Sequence, residues 1–303
     1  MLRLVPTYYW DRDTKQIAYF GAAYLGLDPD LMSEMQQKTY PARDGPEIQA
    51  YLTVPRGHAA HALPLVLMPH GGPFASEGWG FDFMAQLMAS RGFAVLQPNF
   101  RGSILQGDVF HDAGKKQWGG KMQDDLTDGV QHLISEGIAD PGRICIVGWS
   151  YGGYAALMGA IKTPGLYQCA ASINGVSNLK RLAGRYSLDR DYRDFVREYV
   201  DLEGARLSDV SPTSQAEAVG VPVLLVQAAD DHRVPVEHAD EMARRLEKHG
   251  KTFQYERIEF GGGHSLTNGP ARLTMMRAVE AYLLDHLGAD QLAQLEPDEV
   301  LSR

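Results

Sequence analysis

The sequence predicts a doubly wound α/β fold with a mostly parallel sheet and helices on both faces. From residue 63 onward, continuous apolar runs of strand length recur along the chain, which is typical of strands buried on both faces of a parallel sheet. Segments with apolar residues at helical spacing alternate with these runs, as in doubly wound folds. The chain has 303 residues, 44% of them hydrophobic, and is therefore long enough to bury the core that this fold requires.

The first 40 residues have the least regular pattern. Aromatic and aliphatic residues at 16–25 predict a strand, and residues 28–38 have helical character. Two short strands joined by a turn at "ARDGPE" are expected over 38–55, because Asp-Gly and Pro are typical of turns. We therefore expect residues 1–40 to form an N-terminal extension.

Six strands and five helices are expected in the main domain, which we place at residues 41–289. The strands are predicted at 63–69, 93–98, 143–148, 169–175, 221–228 and 253–260. The last of these alternates more in polarity, so it is expected nearer the edge of the sheet. The helices are predicted at 81–92, 122–137, 154–165, 237–250 and 271–288.

A charged, aromatic segment at 176–219 interrupts this alternation. We expect it to be an insertion over the carboxyl edge of the sheet, where open α/β folds bind ligands; a solvated helical excursion explains it equally well. Residues 290–303 form a polar tail.

Composition excludes several classes of partner. The net charge is −9, and lysine and arginine are scattered along the chain, which argues against binding to nucleic acid or to an anionic membrane. No apolar stretch has the length of a signal peptide or membrane span, so a cytoplasmic protein is expected. Cys145 and Cys169 lie in apolar runs and are expected to be buried, reduced thiols, with a disulfide as the alternative. Neither has metal-ligand spacing, and no metal or cofactor is expected.

The segment "ICIVGWSYGGYAALMGA" (144–160) combines an apolar strand, a serine among glycines and a helix of small residues. Within it, Gly148 to Gly152 fit the pattern G-x-S-x-G in the strand–turn–helix context of a nucleophile elbow, which predicts an α/β-hydrolase fold with Ser150 as nucleophile. Glycines around the serine avoid clashes at the sharp turn. The following helix begins at the serine, so the Tyr151 N–H is expected to stabilise a developing oxyanion.

A serine hydroxyl needs a base, and in this fold an acid and then a histidine follow the serine along the chain. Of the five histidines after Ser150, His264 follows a predicted strand and three glycines and is the expected base. The acid is expected in the loop after the strand at 221–228. Asp230 and Asp231 both lie there, and spacing alone does not choose between them.

The loop "HGGP" (70–73) is expected to supply the second oxyanion donor, because glycine lets a backbone N–H approach a substrate oxygen. His70 precedes Ser150, which is the wrong order for the base, so we expect it to hold this loop. Phe74, Trp149 and four aromatic residues of the insertion are candidates for lining an acyl pocket, and core packing explains all six equally well. The four are Tyr186, Tyr192, Phe195 and Tyr199.

Eight collinear segments between residues 41 and 265 resemble the catalytic domain of the prolyl oligopeptidase family of serine peptidases, most closely its acylaminoacyl-peptidase-like and dipeptidyl-aminopeptidase-like members. They include "LPLVLMPHGGP", "QPNFRGS", "GIADPGRICIVGWSYGGYAALMG", "ADDHRVP" and "GGGHS". The family's acid stands three residues before a valine, so the resemblance implies Asp231, which precedes Val234, and not Asp230. It also implies Gly72 as the second oxyanion donor and Arg233 as a residue that lines the site.

The chain departs from the family pattern in two loops and at its N-terminus. "Gln227-Ala228" stands where the family usually has His-Gly, and "Ser265-Leu266" stands where Gly-Phe is common. Family peptidases also carry a β-propeller ahead of this domain, which gates the site and, in the dipeptidyl members, holds the substrate's N-terminus. Residues 14–24 look like the end of a last propeller blade. We therefore expect the chain to be either a truncated product of a longer peptidase or a stand-alone hydrolase domain.

These residues lead us to expect a serine hydrolase that works through an acyl-enzyme. Without a propeller the cleft is open, and esters need less positioning than amides, so carboxylesterase activity on small acyl esters is expected first. The alternative is acylaminoacyl-peptidase or aminopeptidase activity on short peptides, and an inactive binding module is a third hypothesis. An exposed apolar strand in the extension would recruit another chain, so a homo-oligomer through residues 1–40 is expected.

Overall fold

The computed structural model describes residues 6–22, 27–185, 194–200 and 206–288. The predicted tail at 290–303 and two of the aromatic candidates, Tyr186 and Tyr192, lie outside the described residues. The strands are β1 (Pro6–Trp10), β2 (Ile17–Ala22), β3 (Glu34–Pro41), β4 (Glu47–Val54), β5 (Leu63–Leu67), β6 (Ala94–Asn99), β7 (Ala139–Trp149), β8 (Cys169–Ile173), β9 (Val223–Ala228) and β10 (Phe253–Ile258).

Eight α-helices fall within the described part of the chain. They are α1 (Phe83–Ser90), α2 (Asp108–Asp112), α3 (Lys121–Ser135), α4 (Tyr151–Lys162), α5 (Leu179–Arg185), α6 (Arg206–Asp209), α7 (Glu237–Lys248) and α8 (Gly269–Leu287). Short 3-10 turns lie at Pro29–Leu31, Pro212–Ser214 and Ala216–Ala218, and a π-helical turn lies at Val196–Val200. The six strands and five helices predicted for the main domain are all present, with small shifts of their ends.

One eight-stranded sheet organises the molecule, in the order β10-β9-β8-β7-β5-β6-β4-β3. Strands from β10 to β6 pair in parallel, and β4 and β3 add an antiparallel edge. The mostly parallel, doubly wound sheet predicted from the apolar runs is confirmed, and β10 lies at an edge as its alternating polarity predicts. Among the described residues, β1 and β2 form a separate antiparallel hairpin.

The sheet lies between two helical layers. In β7, Ile144 and Ile146 face a core formed with α3, α4 and α7, whereas Cys145 and Val147 face a second core formed with α1 and α8. All four side chains are fully buried or nearly so. Burial on both faces explains why the predicted strands read as continuous apolar runs. Because β5, β7, β8 and β9 pair in parallel, their carboxyl ends lie at one edge of the sheet.

The helix expected at 28–38 is wrong. Only Pro29–Leu31 forms a helical turn, and β3 begins at Glu34. Residues 34–41 pair with β4 along their whole length, and this ladder overrides the local helical preference. The sheet therefore includes residues that the sequence pattern assigned to the N-terminal extension.

The expectation of two reduced thiols is also wrong, because Cys145 and Cys169 form a disulfide. The two residues are directly opposite each other on the neighbouring strands β7 and β8, with Cα atoms 4.8 Å apart. Cα atoms at this separation lie within the range that a disulfide spans. Disulfides are typical of proteins from oxidising compartments and rare in the cytoplasm. The disulfide therefore does not favour the cytoplasmic location expected from the sequence, and that location stays a prediction. No described helix has the length and apolar character needed to cross a bilayer.

Candidate active site

Ser150 lies at a sharp turn between β7, which ends at Trp149, and α4, which begins at Tyr151. Its φ of 60° is in the region that non-glycine residues rarely adopt, and its N–H donates to the Ile173 carbonyl at 2.9 Å. The turn is crowded: a Cβ on Gly152 would lie 2.1 Å from the Pro69 oxygen. Only glycine fits there, and the turn holds Ser150 partly exposed at the carboxyl edge of the sheet.

His264 and Asp231 meet beside this turn. The Nδ1 atom of His264 lies 2.7 Å from Oδ2 of Asp231, whose side chain is fully buried. The other carboxylate oxygen of Asp231 accepts hydrogen bonds from the N–H groups of Arg233 at 2.7 Å and Val234 at 2.9 Å. Because a carboxylate only accepts hydrogen bonds, Nδ1 carries the proton and the Nε2 atom of His264 is left with a lone pair for a general base.

The neighbouring aspartate has a different partner. Oδ1 of Asp230 accepts a hydrogen bond from the Gly263 N–H at 2.7 Å. The sequence pattern alone left Asp230 and Asp231 open, and the structure pairs only Asp231 with the imidazole. Asp230 binds the backbone of the loop that carries His264, a contact that sequence analysis missed because adjacent aspartates give the same local signal.

The "HGGP" loop runs along the serine turn. A Cβ on Gly71 would lie 3.5 Å from the Cβ of Ser150, so Gly72, with a φ of 115°, follows close to the serine. The Tyr151 N–H belongs to the first turn of α4, where N–H groups have no intrahelical acceptor. Both predicted oxyanion donors therefore belong to segments that adjoin Ser150.

His70 is buried beneath this loop and holds it. Its Nδ1 donates to the Gly71 carbonyl at 2.7 Å, its Nε2 lies 2.8 Å from the Ser103 hydroxyl, and its ring stacks on Phe100 with centroids 4.3 Å apart. Burial lowers the pKa of His70 to about 4, so the imidazole is neutral near pH 7. These contacts fit the structural role predicted for His70.

The next part of the loop is attached to β6. The Glu77 N–H donates to Oδ1 of Asn99 at 2.7 Å, and Nδ2 of Asn99 donates back to the Glu77 carbonyl at 3.1 Å. The Glu77 carboxyl accepts a hydrogen bond from Nε2 of Gln97 at 3.1 Å. Burial, and next to it the charge of Asp82, raise the pKa of the Glu77 carboxyl to about 7.

The aromatic candidates separate into two groups. The ring of Phe74 contacts Tyr199 and Phe195, with centroids 4.2 Å and 5.4 Å away, so part of the insertion lies against the loop that follows β5. Trp149 instead donates its indole N–H to the His264 carbonyl at 2.8 Å. Trp149 therefore supports the loop that carries His264, and its place in an acyl pocket stays a prediction. Arg233 is exposed, and its backbone N–H binds Asp231.

A sequence profile of the prolyl oligopeptidase family matches residues 79–290, more than two thirds of the chain. The chain belongs to the prolyl oligopeptidase family. It carries the α/β-hydrolase catalytic domain of that family. In the described residues, no group of three or more His, Cys, Asp or Glu side chains is arranged to hold a metal ion.

Several family members are similar to this chain. It is 31% identical over 297 residues to dipeptidyl aminopeptidase BIII of Pseudoxanthomonas mexicana, which covers 93% of the chain and 42% of that protein. It is 28% identical over 197 residues to the acylamino-acid-releasing enzyme of Arabidopsis thaliana, covering 62% of the chain and 26% of the relative. A puromycin-hydrolysing peptidase of Mycobacterium tuberculosis superposes with a TM-score of 0.83 at 26% identity, over 93% of the chain and 44% of that protein. The chain thus spans less than half the length of these family members.

Proposed function

We propose that this family member is a serine peptidase that cleaves short peptides through an acyl-enzyme. The observation that carries the proposal is the hydrogen bond between His264 and the buried Asp231, at the loops next to the strained Ser150. A nucleophile, a base and an acid in this order on the chain form the triad of an α/β-hydrolase. The similar proteins named above are peptidases, which favours a peptide substrate over the carboxylesterase activity expected first from the sequence.

In the proposed mechanism, the Nε2 atom of His264 takes the proton from the Ser150 hydroxyl as the oxygen attacks the substrate carbonyl. Asp231 holds the imidazole in the required tautomer and stabilises the imidazolium. The N–H groups of Tyr151 and Gly72 stabilise the oxyanion. His264 then gives its proton to the leaving amine. In the second half, His264 takes a proton from the water that hydrolyses the acyl-enzyme and returns it to Ser150.

The aromatic cluster of Phe74, Phe195 and Tyr199 gives the proposed site an apolar side. Phe74 lies two residues after the proposed oxyanion donor Gly72, so a substrate whose carbonyl binds there has an aromatic surface within reach. We therefore propose that this cluster binds an apolar substrate side chain. Arg233 stays a proposed residue of the same site on the strength of the family resemblance alone.

The first experiment is covalent labelling of the whole chain with a fluorophosphonate, with Ser150→Ala as control. Labelling of the wild type and none of the control is expected, whereas an unlabelled wild type would favour the inactive binding module. The second compares kcat/KM for alanyl-alanyl p-nitroanilide, acetyl-alanyl p-nitroanilide and p-nitrophenyl butyrate. A peptidase is expected to cleave at least one anilide as efficiently as the ester, although the anilide has the poorer leaving group. Ester turnover without anilide turnover would restore the carboxylesterase hypothesis.

We also propose that the chain forms a homo-oligomer through its N-terminal segment. The β1–β2 hairpin exposes large apolar side chains to solvent, with Trp10 52% and Ile17 70% exposed, and such surfaces favour association. Light scattering of the full chain and of a variant without residues 1–26 tests this, because the deletion stops before β3 and leaves the main sheet intact. A monomeric mass for both proteins would contradict the proposal.

A further inference from the structure

The backbone carbonyl of His264 is held by two side chains from two different strands. The indole N–H of Trp149, at the end of β7, donates to it at 2.8 Å, and Nδ2 of Asn174, just after β8, donates to it at 3.0 Å. The same Nδ2 atom also lies 3.2 Å from the Gly263 carbonyl. The position of the imidazole is therefore linked to the inner strands of the sheet, although its loop leaves the edge strand β10.

Asn174 also binds the strand from which the acid loop departs. Its N–H donates to the Val226 carbonyl, and its Oδ1 accepts a hydrogen bond from the Ala228 N–H, both at 2.8 Å. The chain continues from Ala228 through the loop to Asp231. Asn174 is completely buried, so one side-chain amide, with oxygen and nitrogen both in use, joins the beginning of the acid loop to the backbone of His264.

The histidine loop needs such support because of its composition. Glycines at 261–263 give its backbone more freedom than any other residue would. Gly262 allows close packing, since a Cβ there would lie 2.6 Å from the Cβ of Ala228. With no side chains of its own before His264 to fix it, the loop depends on hydrogen bonds from neighbouring side chains to its backbone.

We propose that Asn174 is a positioning residue for His264. By holding the Ala228 N–H with its oxygen and the His264 carbonyl with its nitrogen, Asn174 keeps the loops of the acid and the base at the separation that their 2.7 Å contact requires. The inference rests on the proposed serine hydrolase mechanism. A small displacement of the imidazole weakens proton transfer from Ser150, and a misplacement of about 1 Å in an active site costs about 100-fold in rate.

Two substitutions separate this role from general stability. Asn174→Gly removes the side chain and tolerates the native φ of 44°. Asn174→Asp keeps an acceptor for the Ala228 N–H but, when ionised, has no donor for the His264 carbonyl. The matched control is Gln86→Ala: Gln86 is also buried and exchanges two hydrogen bonds with the backbone of Ser33, at 2.8 Å and 3.1 Å, but it lies on α1.

The measurements are kcat and KM on the best p-nitroanilide, the rate of fluorophosphonate labelling, the pH dependence of kcat/KM, and the thermal midpoint. We expect Asn174→Gly to lower kcat and the labelling rate about 10- to 100-fold with KM changed less than about twofold, because Trp149 still holds the same carbonyl. For Asn174→Asp we expect a similar loss at pH 8, and its activity relative to the wild type should rise on acidification, because a protonated carboxyl donates to the carbonyl. Gln86→Ala is expected to lose thermal stability and keep kcat.

The proposal is overturned if Asn174→Gly folds and keeps the wild-type kcat and labelling rate, or if its loss is matched by Gln86→Ala at equal destabilisation. If Asn174→Gly does not fold, Asn174→Asp decides: wild-type kcat at pH 8 overturns the proposal, and a loss that acidification reverses supports it. A wild-type chain that fails to label with the fluorophosphonate contradicts the proposed function itself, which distinguishes the two failures.

Discussion

Replacing Asp231 with asparagine tests the acid assignment, because the backbone decides how the new amide is oriented. In the native protein one oxygen of Asp231 accepts from the N–H groups of Arg233 and Val234, and the other faces Nδ1 of His264. An asparagine oxygen must stay with the two N–H groups. In the opposite orientation both backbone N–H groups would face the NH₂ group and have no acceptor. Each unsatisfied donor would cost roughly 1–3 kcal/mol of free energy. The NH₂ group of the substituted side chain therefore faces His264.

This orientation inverts the tautomer of the imidazole. Nδ1 then accepts a hydrogen bond from the amide, so the proton moves to Nε2, and Nε2 no longer accepts the proton of Ser150. A triad with the wrong tautomer loses about 10⁴-fold in kcat. At about 1.36 kcal/mol for each factor of ten, this is about 5 kcal/mol of lost transition-state stabilisation.

The assay is kcat on a p-nitroanilide together with the rate of fluorophosphonate labelling. Asp230→Asn is the matched control, because its remaining Oδ1 still accepts from the Gly263 N–H, and we expect it to keep kcat within about tenfold. A loss below about tenfold in Asp231→Asn, or an equal loss in Asp230→Asn, would refute the assignment of Asp231 as the acid.

Three further predictions concern packing and pH. Gly152→Ala puts a methyl group 2.1 Å from a backbone oxygen and should cost about 3 kcal/mol or more of unfolding free energy in denaturant titration, whereas Gly165→Ala, with open space around it, should be nearly neutral. Glu77 has a folded pKa of about 7 against an ordinary 4.5, so its contribution to stability is present below pH 4.5 and is lost as the pH rises through 7. Glu77→Gln should therefore add up to about 3 kcal/mol at pH 8 and little at pH 4, and a pH-independent difference would contradict this. Burial lowers the folded pKa of His70 and His238 to about 4 from 6.5, so their contribution is present above pH 6.5 and is lost as the pH falls through 4. Urea titrations should show His238→Gln reducing the slope of stability against pH in this window by about 1.4 kcal/mol per pH unit.

The sheet could be predicted from the sequence because a strand buried on both faces has a continuous run of apolar residues. β5 and the second half of β7, from Ile144, are continuous apolar runs, whereas the polar start of β7 at 139–143 carries no such signal. The segment at 28–38 was misjudged because its helical composition is local, whereas the antiparallel ladder of β3 on β4 depends on residues that come later in the chain. The disulfide was missed because it also depends on strand pairing. The register that sets Cys145 opposite Cys169 cannot be predicted from the local sequence of either strand.

The candidate site was predictable where its signal is contiguous. Ser150 lies between flanking glycines in a strand–turn–helix pattern, and His264 follows a predicted strand and three glycines. The side chains that support them have no such signal: Asp230 resembles its neighbour, and Asn174 is one polar residue after a buried strand. Trp149 was a candidate for an acyl pocket or for the core, and the sequence gives no sign that its indole N–H bonds to the His264 carbonyl. Each of these roles depends on which strand ends lie side by side in the sheet.

The arrangement of strands explains why the support comes from the centre of the sheet. Parallel strands bring their carboxyl ends to one edge, where ligands bind in open α/β folds. Of the strands that carry the triad and the side chains supporting His264, β10 has one neighbour in the sheet, and β7, β8 and β9 have two each. The base leaves the least supported of these strands on a glycine-rich loop, so its position has to be set from elsewhere. Trp149 is the last residue of β7, and Asn174 and Asp230 follow β8 and β9. Each of these side chains binds the backbone at Gly263 or His264. The nucleophile leaves β7 and the acid leaves β9, so the strands that carry the other two members of the triad also hold the third in place.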